Sequence, residues 1–157
     1  MEELHEIDLN EFVDYHRTFL SHAGGEDGVS VRYFLSDSGT LHAKVRFGER
    51  SMGPPGHVHG GAMATVLDEA MGIACFFKML PVVTMSLNIQ FLRMLPVGTE
   101  AHLETRVEDG EGRDVSVSGR LFDPGTGEDF TVARGIYRKL EMERFGPSLR
   151  SILSRSR

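Results

Sequence analysis

The spacing of apolar residues divides the chain into two regimes. Over residues 59–78 they recur at helical intervals: Met63, Val66, Ala70, Ile73 and Phe77 share one face, and Gly61, Thr65, Asp68 and Gly72 another. Such a helix is about 30 Å long, enough to cross a small sheet. It is apolar nearly all round, as a helix enclosed by a curved sheet must be. Elsewhere the period falls to two. Residues 29–35 and 41–47 alternate apolar and polar positions around the turn Ser36-Asp37-Ser38-Gly39, which predicts a hairpin. Beyond the helix, residues 82–92, 100–108, 113–122 and 129–140 predict four more strands. The connections Leu95-Pro96-Val97-Gly98, Asp109-Gly110-Glu111-Gly112 and Asp123-Pro124-Gly125-Thr126-Gly127 carry turn chemistry, so the four read as an antiparallel meander. Ahead of all this, Leu9, Phe12, Val13, Phe19 and Leu20 predict a short amphipathic helix over residues 9–20, closed by Gly24-Gly25. The expectation is one α+β domain over residues 1–140, a single antiparallel sheet around one long helix. Residues 141–157 form a polar, arginine-bearing tail, expected to be partly ordered at best.

Composition narrows the partners. A chain of 157 residues fits one domain that buries roughly two-thirds of its unfolded surface. Its net charge of −6 argues against a general nucleic-acid binder, though a few local arginines can still hold a small anionic ligand. Cys75 is the only cysteine, so no internal disulfide can form, and a reducing compartment is the easier home. The N-terminus is acidic where a secretory signal would be basic and then apolar. The most apolar window carries Asp68 and Glu69 and is short for a bilayer span. These points predict a cytoplasmic protein with no membrane partner.

The candidate chemistry gathers where a Pro/Gly loop meets the helix. Gly53-Pro54-Pro55-Gly56 continues neither helix nor strand, and it leads through His57 into His59-Gly60-Gly61. Acidic side chains are rarely fully buried without a partner or a task, so Asp68 and Glu69 stand out in the apolar helix. The small residues beside Asp68 leave space above its carboxylate for a ligand or a second chain. Glu69, one residue round the helix, reads as a structural partner, with a secondary claim as the acid. His57 and His59 with Asp68 lack a convincing third ligand, so no metal site is expected. Cys75 reads as a small core residue. Met52, Phe76, Phe77 and Met79 are candidates to line an apolar pocket.

This order of elements, with His59-Gly60-Gly61 opening the helix and an acid nine positions after the histidine, resembles the hotdog-fold acyl-CoA thioesterases. The matching stretches are residues 53–68, residues 84–93 (TMSLNIQFLR), the Pro96-Val97-Gly98 turn and residues 132–137 (VARGIY). The phenylacetate-pathway and thioesterase-superfamily-member types look closest. The resemblance implies hydrolysis of an acyl-CoA, without metal or other cofactor. Asp68 would act as nucleophile or general base, and the Gly60 amide would polarise the thioester carbonyl. His59 would orient the turn or take a proton, and Thr84, with Ser86 as neighbouring candidate, would position water or the carboxylate. His57, Gly61, Arg93 and Arg134 are candidates for substrate contact, the arginines toward coenzyme A phosphates. The resemblance also implies a homodimer with its sites at the interface, often paired into a tetramer. One departure is Gly53, where some members carry an Asn or Gln as a second carbonyl contact, with His57 as a possible substitute. Two other readings compete. One is a non-catalytic binder of acyl-CoA, which the glycine at position 53 keeps open. The other is a dehydratase or hydratase of acyl-carrier substrates, whose expected loop sequence is missing.

Overall fold

The structure is a computed structural model, and it describes residues 1–141. The tail expectation for residues 142–157 lies outside the described residues. The chain runs through β1 (Leu4–Ile7), a short helix α1 (Phe19–His22), β2 (Val29–Ser36), β3 (Leu41–Phe47), the long helix α2 (Gly60–Phe77), β4 (Val82–Phe91), β5 (Glu100–Asp109), β6 (Asp114–Phe122) and β7 (Asp129–Lys139). All seven strands form one antiparallel sheet in the order β1-β2-β3-β5-β6-β7-β4. This is the wrapped-helix α+β architecture that the alternation of periods predicts.

The helix earns its place by burial. Met63, Val66, Leu67, Ala70, Met71, Ala74 and Cys75 are buried against the sheet, where they meet Ala43, Val45, Leu103, Val115, Val117 and Leu121 from alternate strand positions. Each Met, Val or Leu among them contributes about 1.5–3 kcal/mol when fully buried. Two strand glycines let the helix come close. A Cβ on Gly119 would lie 3.2 Å from Met71 Sδ, and one on Gly135 would lie 2.6 Å from the Tyr137 ring. By length and hydropathy α2 could cross a membrane, with a mean of 1.3 over its 18 residues. Here the sheet encloses its apolar side instead.

Two expectations are corrected. Residues 9–20 are not a helix: Leu9–Glu11 and Tyr15–Arg17 are single 3-10 turns, and Thr18 is extended before α1 begins. The Asp8 carboxylate accepts from the Asn10 amide and the Thr18 hydroxyl from Ser21, so the segment carries two competing N-caps. Its aromatic, β-branched and Asn/Asp residues are also weak helix formers. The path buries Leu9 and Leu20 all the same. Nor do the last four strands form a meander. Only β5-β6-β7 do; β4 pairs with β7 at the far edge, and β5 pairs with β3. Residues 92–99 are a crossover, tied down by Val58 N–H to Leu95 O, Val97 N–H to Gly56 O and Gly98 N–H to Phe47 O. Leu95 is buried beneath them.

Candidate active site

The loop before α2 is a small closed structure. The Gly53 amide donates to His57 O and the His59 amide to Ser51 O, with Met52 bridging Val58. A Cβ on Gly53 would lie 2.8 Å from His59 Cα, so this backbone has no room for an Asn or Gln side chain there. His57 Nδ1 lies 2.9 Å from Pro55 O. A carbonyl only accepts, so in the neutral ring Nδ1 carries the proton, and Nε2 offers no second donor to a substrate carbonyl. His59 has the opposite tautomer. Its Nδ1 accepts from the Gly61 amide at 2.8 Å, capping the helix and leaving the proton on Nε2.

This cap uses the second of the helix's unpaired N-terminal donors and leaves the first one free. Among the described residues no hydrogen bond from the Gly60 amide is present. It is the first amide of an 18-residue helix, at the positive end of the helix dipole. The Phe91 ring packs over it, 3.2 Å from where a Cβ would stand. A groove of about 240 Å³ opens here, lined by Pro54, His57, Gly60, Phe91, Leu92 and Met94.

Two turns further along α2, Asp68 is half-buried and held by two hydroxyls. Thr84 of β4 and Tyr137 of β7 each donate to its Oδ1 at 2.8 Å. Those two residues face each other across the β4–β7 pair. Burial, then the hydrogen bond and charge of Asp68, push the Tyr137 phenol far above its ordinary pKa, so it stays a donor. Beside Asp68, Glu69 has its own pair: the Tyr15 and Tyr33 hydroxyls donate to Oε1 at 2.8 and 2.9 Å. Burial raises the Glu69 pKa above the usual carboxylate value, against the lowering effect of the two tyrosines.

The other candidates are dispersed. A register shift in β4 between Thr84 and Ser86 puts Ser86 opposite Ile136, on the face away from α2. Arg134 is on that outer face too, between Asn88 and Ser118. It lines an open depression of about 820 Å³ with Arg106 and Arg120. Arg93 borders the Gly60 groove, but its guanidinium binds Glu128 Oε2, Glu128 O and Asp129 O and lies over the Phe130 ring. Gly61 and Thr65 line a separate apolar groove of about 380 Å³ with Phe19, Leu20 and Val29. At the far end of α2 the Phe77 ring meets Phe12 and Phe76 edge to face. Among the described residues no three His, Cys, Asp or Glu side chains gather as a metal-holding group.

Known proteins share these elements. The family model described as the thioesterase superfamily matches residues 55–129, which contain the capped loop, α2 and both partners of the Thr84–Asp68 bond. Residues 55–129 are thus similar to the thioesterase superfamily. Bovine acyl-coenzyme A thioesterase THEM4 is 31% identical over 124 residues, 77% of this chain and 51% of that protein. The chain thus spans about half the length of the curated relatives it matches. The PaaI protein of the Escherichia coli phenylacetic acid degradation operon superposes with a TM-score of 0.68 at 17% identity, covering 81% of this chain and 88% of that one. The BH2602 protein of Bacillus halodurans, solved with CoA, gives a TM-score of 0.61 at 24% identity over 69% of this chain and 73% of its own. The fold is the hotdog fold.

Sequence reasoning missed Tyr137. A signal existed: a tyrosine at an inward strand position must find a partner for its hydroxyl.

Proposed function

We propose that this chain is an acyl-CoA thioesterase in which Asp68 is the reacting acid and Gly60 the oxyanion donor, working across a homodimer. The observation that carries the reading is the Asp68 carboxylate, with both hydroxyl donors on Oδ1 and Oδ2 left for chemistry. As general base, Oδ2 takes a proton from water while the water oxygen attacks the thioester carbonyl carbon. The resulting oxyanion is met by an amide such as that of Gly60, a contribution of about 3–4 kcal/mol for a preorganised donor. Collapse expels the thiolate, which recovers the proton as the CoA thiol. Direct attack by Oδ2 gives an acyl anhydride that water then opens, with the same products. The CoA held by the Bacillus halodurans relative supports the choice of thioester.

Distance supports the dimer. Gly60 and Asp68 are eight residues apart on α2, about 12 Å along its axis, too far for one carbonyl to meet both. A second chain would bring the missing half. The unpaired edge of β4 suits it, since Val83, Met85, Phe91, Leu92 and Met94 on and just beyond that strand are 44–57% exposed. Pairing of dimers into tetramers and a cytoplasmic, reducing location belong to the same proposal.

The deciding experiment is free-thiol release from acetyl-, hexanoyl-, palmitoyl-, phenylacetyl- and benzoyl-CoA by the wild type and Asp68→Asn. Turnover that collapses in the folded variant supports the reading and names the acyl class. Retention of unchanged acyl-CoA by the wild type would make the protein a binder instead.

A further inference from the structure

We infer that Tyr137 is a positioning residue for Asp68: it holds the carboxylate turned so that Oδ2 alone faces the substrate. The inference rests on the reading of Asp68 as the reacting group, and it adds a residue that acts through that acid.

The geometry is specific to one oxygen. A carboxylate oxygen offers about two lone-pair sites. The Tyr137 and Thr84 hydroxyls, each 2.8 Å from Oδ1, occupy both. Oδ2 keeps its lone pairs for water or for a carbonyl carbon. The two donors are not equivalent. Thr84 is on the exposed edge strand, where a water can take the place of its hydroxyl. Tyr137 comes from the core: its residue is 1% exposed, and the ring lies over Gly135, whose missing Cβ would stand 2.6 Å from Cε2. The phenol therefore cannot swing away, and no bulk water stands ready to replace it. Nor is it a proton source, because burial and the Asp68 charge keep it protonated well beyond neutral pH. What it supplies is a fixed donor that pins Oδ1 and with it the plane of the carboxylate. The other titratable groups that bear on the pair are Glu69, next to Asp68 on α2, and Cys75, close to the phenol.

Tyr137→Phe removes one oxygen from a buried ring and tests the inference. We expect kcat for the best acyl-CoA to fall about tenfold or more, with KM changed less than about twofold. Thr84→Ala gives the same changes at smaller size. A readout independent of turnover is the crystal structure of Tyr137→Phe, in which the Asp68 carboxylate turns from the orientation it holds in the wild type. An Asp68 carboxylate that keeps its orientation in Tyr137→Phe overturns the inference even if kcat falls. Should the variant fail to fold, the Tyr137 hydroxyl proton of the otherwise wild-type chain decides: it shifts on Asp68→Asn if the bond exists, and holds still if it does not. A wild type that releases no thiol would sink the thioesterase reading, while the orientation of the Asp68 carboxylate would still judge the tyrosine.

Discussion

Asp68 and Glu69 are neighbours on one helix, both half-buried, and each has two hydroxyls donating to a single carboxylate oxygen. Their surroundings differ in one respect. The donors to Asp68 come from two paired strands, one of them an open edge that leaves a way in. The donors to Glu69 are two tyrosines whose rings meet edge to face at 6.3 Å, one from β2 and one from the N-terminal segment laid over the helix. That segment covers Glu69, and burial is what raises its pKa. Equal hydrogen bonding thus yields two different groups: a carboxylate kept accessible, and one spent on fastening the N-terminal segment to the core. In the proposed reading, access is what separates the reacting acid from the structural one.

The largest test of that contrast exchanges each acid for its amide. Asp68→Asn should lower kcat/KM for acyl-CoA by about 10²–10⁴, the range for losing a general base, whereas Glu69→Gln should stay within severalfold of wild type in the same thiol-release assay. Equal losses would erase the distinction. The next effect concerns the other half of the site. Gly60 is the first residue of α2, where proline fits the helix, and His59 before it is already extended, at φ −65° and ψ 135°. Gly60→Pro therefore removes one N–H and little else, apart from a slight shift of the Phe91 ring, and should cost about 10²–10³ in kcat. If the site is composite, Gly60→Pro and Asp68→Asn complement each other. An equimolar mixture, unfolded and refolded together, should recover roughly a quarter of wild-type activity, because half the dimers are mixed and each mixed dimer has one intact site. Recovery no better than either variant alone would place both groups in one chain. A smaller step tests the edge that joins the chains. Leu92→Glu, just past β4, should shift sedimentation toward monomer and lower activity in proportion to the dimer lost, leaving the circular dichroism of the fold unchanged.

The contrast also marks what the sequence could reveal. Helix α2 was legible to within a residue at each end, because its apolar stripe is long and His59 and Lys78 bound it as caps. Asp68 stood out as an acid in that stripe, and Thr84 followed from the resemblance. The edge position of β4 was not legible: turn chemistry at Leu95-Pro96-Val97-Gly98 looks the same in a hairpin and in a crossover, and only contacts to Phe47, Gly56 and Val58 distinguish them. The register shift after Thr84 turned Ser86 to the outer face without any mark in the alternation. Tyr137 and Tyr15 meet the acids from 69 and 54 residues away. A period of two can say that a strand residue points inward; it cannot say which helix carboxylate waits there.

The smallest effect sharpens the Glu69 side. Its folded pKa is raised above the ordinary 4.5, so the folded state binds that proton more tightly than the unfolded chain does. Its contribution to stability is therefore fully present below the unfolded value and is lost as pH rises through the folded one. Glu6 and Asp114, on the surface beside Arg32 and Arg138, have lowered pKa values and act in the opposite direction, losing their contribution as the solution is acidified. The whole-protein curve mixes these signs, so the useful quantity is a difference. Glu69→Gln keeps a carbonyl to accept from Tyr15 and Tyr33 but cannot ionise. The melting temperature of wild type minus that of Glu69→Gln, followed from pH 4.5 upward, should decline and then level off at neutral pH. A flat difference would mean that Glu69 ionises as easily in the fold as outside it. The N-terminal segment would then be no barrier to water, and access could no longer be what sets the two acids apart.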